Sequence, residues 1–210
     1  MHVAHAVAHR TPARRGFRTE LGDGLRWLWG HRFLRGATLW LSAAGALFTS
    51  MGIVTLVLAR EHGATAAELG LMFTIAGLGG LAGALSTPWL LRHCPPGLVL
   101  TGHATVATGA TAALLAAGSV WTLGIIGAVA FFPLPAVNAL VLSRVATEVP
   151  DALHGRVVSA TTQLTTLLHP VGPAAAGLAM ETAGPEATVL GSGVLFAALA
   201  VVAWLRWGGR

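Results

Sequence analysis

Long apolar runs separated by short polar interruptions set the class of this chain before any single residue is weighed. Six runs free of Asp, Glu, Lys and Arg lie at about 36–59, 69–91, 97–117, 120–143, 157–180 and 187–205. Each approaches the ~20 residues needed to cross ~30 Å of hydrocarbon at ~1.5 Å per residue. They are continuous runs, unlike the ~10-residue alternating segments of a barrel, so they predict helices whose backbone groups are paired within the element. The expected fold is an all-α membrane protein with six transmembrane helices in a bundle over 36–207. Ahead of the first run, Leu21, Leu25, Leu28, Trp29 and Phe33 recur at helical spacing, with Glu20, Asp23, Arg26, Arg32 and Arg35 on other faces. This predicts an amphipathic helix over 19–35 that lies at the membrane interface or, equally, extends the first span into the cytoplasm. Residues 1–18 hold no sustained apolar period and read as a mobile cytoplasmic arm.

Composition strengthens this reading. Hydrophobic residues make up 54% of the 210 and charged residues 10%, against about 25% charged in soluble domains, and the mean hydropathy is +0.71. A soluble fold is excluded. All 13 basic residues are Arg and face 8 acidic ones, but they fall between the apolar runs, so the excess does not point to nucleic acid. Twelve of them (Arg10, Arg14, Arg15, Arg18, Arg26, Arg32, Arg35, Arg92, Arg144, Arg156, Arg206 and Arg210) fall on one side of the expected topology, and Arg60 alone on the other. Short cytoplasmic loops retain positive residues, which predicts both termini inside. The N-terminal arm lacks the apolar core of a cleavable signal, leaving the first span as the insertion signal. Cys94 is the single cysteine, too few for a disulfide within the chain or a Cys-based zinc site, and His2, His5 and His9 lack a fourth ligand. No metal and no cofactor is expected.

Enzyme chemistry has little to stand on: there is no pair of intramembrane carboxylates, no H-E-x-x-H, no phosphate-binding loop, and Gly191-Ser192-Gly193 lacks the flanks of a nucleophile elbow. The most polar run is the fifth. Thr162, Thr166, His169 and Pro173 follow i, i+4, i+7, i+11 and share one helical face, with Gln163 and Pro170 on its flank. Polar side chains against hydrocarbon are costly, so this face lines a cavity or packs on another helix. Pro170 and Pro173 predict a bend or break. In the fourth run, Phe131-Phe132-Pro133-Leu134-Pro135 predicts a second break, followed by Asn138, whose amide either meets a substrate or satisfies carbonyls freed by the prolines. His103, among Thr101, Thr105 and Thr108, is expected to reach water near the inner interface. Of the two intramembrane histidines, His169 is the better candidate for a proton carrier because its face is polar. Gly79 and Gly83 form a G-x-x-x-G for close helix approach, within the chain or at a dimer face.

Together, the run Glu20-Leu21-Gly22-Asp23-Gly24-Leu25-Arg26-Trp27-Leu28-Trp29-Gly30-His31-Arg32-Phe33-Leu34-Arg35, Ala67-Glu68-Leu69-Gly70 before a glycine-rich helix, Gly155-Arg156-Val157 and Pro170-Val171-Gly172-Pro173 resemble the major facilitator superfamily. More narrowly, they resemble bacterial drug and siderophore exporters of the enterobactin-exporter and macrolide-efflux type. The resemblance runs from about Gly16 to the C-terminus and covers the second half of a twelve-helix transporter, with the residues before Glu20 standing for the central cytoplasmic loop. It implies efflux of a small amphipathic molecule, a drug or siderophore, by proton antiport across the bacterial inner membrane. This half has no intramembrane carboxylate, so coupling falls to the other half or to His169. The family's cavity lies between two six-helix bundles and is lined by fourth-helix and fifth-helix faces. That makes Asn138, Thr162, Gln163, Thr166 and His169 the cavity candidates. Besides the lipid bilayer and the small-molecule substrate, the implied partner is a second six-helix half, either another copy or a separate chain. The family's loop pattern G-x-x-x-D-R-x-G-R-R is represented by Gly80, Gly83 and Arg92 as an inner-loop gating motif, without its acidic residue. The rival reading is a truncated or non-transporting membrane protein that docks onto another membrane subunit. Inner loops at 92–96 and 144–156 are too short for an ABC exporter subunit.

Overall fold

The computed structural model describes residues 17–208, with side chains from Leu21 onward. The N-terminal arm, apart from its last two residues, therefore lies outside the described residues. The chain forms α1 (Phe17–Gly30), α2 (Arg32–Glu61), α3 (Ala66–His93), α4 (Pro96–Ala113), α5 (Val120–Phe131), α6 (Leu134–Glu148), α7 (His154–Leu167) and α8 (Val171–Trp207), with single 3-10 turns at Leu114–Ala116 and Asp151–Leu153. There is no strand among the described residues. Helix starts follow local chemistry. Thr65 and Glu68 form a capping box at α3, Ser119 and Thr122 do so at α5, and the His31 ring accepts the Leu34 amide at α2. Each supplies a partner to amides that have none inside the helix.

Five helical stretches are long and apolar enough to cross a membrane: Arg32–Glu61, Ala66–His93, Pro96–Ala116, Val120–Glu148 and Asp151–Trp207. The last holds 57 residues, about 85 Å if straight. It folds back at Gly184, whose φ of 84° and ψ of 167° leave the helical region just before Pro185. Glycine alone adopts that conformation readily. Three hydrogen bonds trace the reversal along α2. Ser42 donates to the Leu164 carbonyl at 2.6 Å and Thr49 to that of His169 at 3.0 Å on the way out, while the Trp40 indole donates to that of Leu199 at 3.0 Å on the way back.

Two apolar cores flank the middle of α2. One gathers Leu28, Leu34, Trp40, Leu100, Val137 and Trp207, and the other Met51, Val54, Met72, Leu123, Val189 and Phe196. The helices meet at glycine. A Cβ on Gly79 would collide with the Ala128 carbonyl of α5, and one on Gly83 with the Phe132 carbonyl. The G-x-x-x-G is thus spent on close approach within the chain.

Helix α1 covers most of the amphipathic segment and packs against the bundle. It ends at Gly30, one residue before α2 resumes, and folds onto α7. Leu28 is fully buried, and Gly24 sits directly against the Arg156 carbonyl. One partly exposed ion pair joins it to α7, and a second charged cluster ties the start of α2 to α6. Asp23 pairs with Arg156 at 3.2 Å, His31 lies 2.9 Å from Glu148, and Arg144 reaches the same carboxylate at 2.9 Å while lying over the Phe33 ring.

Gly83→Leu should destabilise the bundle by about 1–3 kcal/mol through overpacking against backbone. Gly77→Leu, where an added Cβ meets nothing within 4 Å, should leave the melting temperature of the solubilised protein within a degree or so. Asp23→Asn should alter global stability by no more than about 1 kcal/mol, because its pair is partly exposed. It should nevertheless raise amide exchange across α1 several-fold, and unchanged exchange would show that the apolar contacts alone hold that helix.

Candidate functional site

Two helices break at the level where they pass the middle of α2. Between α5 and α6 the prolines Pro133 and Pro135 carry no amide hydrogen. Between α7 and α8 the His169 amide bonds to the Thr166 carbonyl and the Val171 amide to the Leu168 carbonyl, a tighter turn than an α-helix makes. Pro173 cannot donate to the His169 carbonyl, and Thr49 of α2 supplies that hydrogen bond instead. Gly172 sits against the Ala46 carbonyl and Gly45 against the His169 imidazole, so α2 is the post on which this break rests. Phe131, at the other break, packs on Phe48 with ring centroids 5.9 Å apart.

The α7–α8 break reorganises the expected polar face. Thr162, Gln163 and Thr166 are exposed and keep their shared side of α7, with Thr166 bonded back to the carbonyls of Thr162 and Gln163. The stripe does not continue to Pro173, because α7 ends at Leu167 and a new helix starts at Val171. His169 is half-buried and turned onto Gly45, away from that stripe. Asn138 is exposed and borders a cleft of about 130 Å³ together with Leu41, Val145, Thr161, Thr162 and Thr165. The structure therefore brings Asn138 and Thr162 together, adds Thr161 and Thr165, leaves Gln163 and Thr166 exposed outside the cleft lining, and takes His169 elsewhere.

Gly80, Gly83 and Arg92 do not meet. Gly83 is buried against Phe132, Gly80 lies near Phe131, and Arg92 is exposed in the last turn of α3, about 14 Å from Gly83 along the helix. Charged contacts do gather at the end of the bundle where α1 packs, but on other residues: Asp23, His31, Arg144, Glu148 and Arg156. The sequence held two signals for them, the i, i+4 spacing of Arg144 and Glu148 and the acidic position within the amphipathic segment. It held nothing that matched Asp23 to Arg156 across 133 residues.

His103 also departs from expectation. It is 1% exposed, has Trp40 edge-on at 5.5 Å and Phe48 stacked at 5.4 Å, and neither ring nitrogen has a hydrogen-bond partner among the described residues. No group of three metal-ligating side chains converges among the described residues. The candidate site offers hydroxyls, an amide and apolar walls, suited to hydrogen-bonding a neutral or amphipathic molecule.

Comparison with known proteins agrees with this architecture. The chain is 30% identical over 176 residues, 80% of its length, to the Enterobactin exporter EntS of Salmonella choleraesuis (strain SC-B67), and spans 42% of that protein's length. No family model and no solved structure matches it. By its apolar helices and this similarity, the chain is a membrane protein that is, at the level of family, like the major facilitator exporters.

Proposed function

We propose that this chain is one half of a major facilitator-type secondary transporter that exports a small amphipathic molecule, with six crossings and both termini in the cytoplasm. The crossings are α2, α3, α4 with its terminal turn, α5 with α6, α7 with α8 up to Gly184, and the remainder of α8. The observation that carries the proposal is the exposure of Asn138, Thr162, Gln163 and Thr166 on helices otherwise apolar enough to lie in hydrocarbon. Lipid cannot hydrogen-bond an amide, and each such group left against it costs free energy. A second six-helix half, closing a wet cavity over α6 and α7, relieves that cost and provides the second wall a substrate needs. Arginine on the inner loops supports the orientation, and the similarity to an exporter supports the direction. Coupling to protons falls to the partner half or to His169, at the α7–α8 break.

Cells carrying the transporter should keep a fluorescent amphipathic dye at low levels. Gln163→Leu combined with Thr166→Leu should lower the efflux rate at least tenfold at equal protein level, since both groups lie on the exposed face of α7 that the second half is proposed to cover. An unchanged rate would mean that this face meets neither substrate nor partner. No efflux from the unaltered protein with its partner would favour the rival, a docking subunit without transport. His169→Ala should flatten the pH dependence of efflux, and a preserved profile removes His169 from coupling.

A further inference from the structure

A partly open cavity of about 110 Å³ lies on the opposite side of the Phe48 layer from the Asn138 cleft, lined by α2, α3, α4, α5 and α8 of this chain alone. Phe48, Phe131 and Phe196 form its floor, with Phe196 edge-on to Phe48 at 5.4 Å. Met51, Met72 and Phe73 are in its walls. Interiors normally pack with few voids larger than a water molecule. This void persists because the helices around it cannot close further: Gly127 is already so near Ala76 that a Cβ there would lie 2.9 Å from it, and Gly124 is seated on the Met72 backbone. The residues that face the space between them include Ala76, Ala107 and Ala110, too short to fill it.

We propose that this cavity is a binding subsite for one small aromatic ring, separate from the polar cleft beside Asn138. An enclosed apolar cavity of ~150 Å³ takes up benzene, and this one offers a similar apolar lining with an open rim. The lining selects the occupant further. Ring edges of phenylalanine seek the face of another ring, worth about 0.5–1.5 kcal/mol beyond burial, and methionine sulfur gains ~0.3–1.5 kcal/mol against an aromatic group. A saturated chain of equal bulk gains only dispersion. Entry is by way of Gly52 and Phe73, both exposed at the rim. The subsite stands whether or not the chain transports anything, because it is built by one bundle and is read by binding to the resting protein.

The test is fluorobenzene titrated into the detergent-solubilised full chain and followed by fluorine NMR. A saturable component of one ring per chain is expected above the linear partition into micelles. Gly52→Leu places a side chain at the rim where an added Cβ meets nothing within 4 Å, so it should fold and weaken the saturable binding at least tenfold. Gly177→Leu, equally unobstructed and away from the cavity, should bind as the unaltered protein does. Cyclohexane should displace the probe at least fivefold less well than benzene. Purely linear partition, equal binding in the Gly52→Leu protein, or equal displacement by cyclohexane or dodecane would each overturn the proposal, the last by making this a site for any hydrocarbon, lipid tails included.

Discussion

Inside a bilayer no hydrophobic force draws one apolar helix onto another, because lipid tails are as apolar as leucine. What holds this bundle is close contact of backbones and small side chains, and glycine decides where that contact occurs. Gly79 and Gly83 set α3 on α5, Gly172 and Gly45 set the α7–α8 break on α2, and Gly24 sets α1 on the start of α7. Each brings dispersion contacts nearer and leaves no room for a side chain. The two apolar cores lie on either side of the Gly45–His169 contact on α2, and the rings of Phe48 and Phe131 pack with Phe196 of the second core.

That same closeness makes the broken helices tolerable. A proline removes a donor and leaves a carbonyl without a partner, an expensive condition away from water. Here α2 passes near enough for Thr49 to reach the His169 carbonyl and for Ser42 to reach that of Leu164. The breaks in turn divide the open space of the bundle into a partly polar cleft by Asn138 and an apolar cavity beyond Phe48. On the proposed reading, the first is half of a substrate cavity completed by another six-helix unit, and the second holds a ring without any partner.

Much of the fold was legible in the sequence, because hydrocarbon demands long runs of one kind of residue and prolines announce breaks. The runs fell on helices, the Pro133 and Pro170 regions fell on interruptions, and Gly79 with Gly83 fell on a close crossing. The site was less legible, since a helical face can be projected only as far as the helix continues. Thr162, Gln163 and Thr166 kept their common side, but His169 lay beyond the end of α7 and turned onto Gly45. His103 was misjudged for a related reason: its depth follows from Trp40 and Phe48, about sixty residues away, and no local pattern contains them. The pairing of Asp23 with Arg156 was hidden in the same way, each residue reading alone as an ordinary interfacial charge.

On the proposed reading a partner covers the polar face of α7, and the mass of the protein extracted gently from its own membrane, with bound detergent subtracted, tests this most directly. The account predicts a complex containing a second six-helix unit, whether another copy or a different chain. A lone species of 21.5 kDa, with Gln163 and Thr166 facing only lipid or detergent, would contradict it.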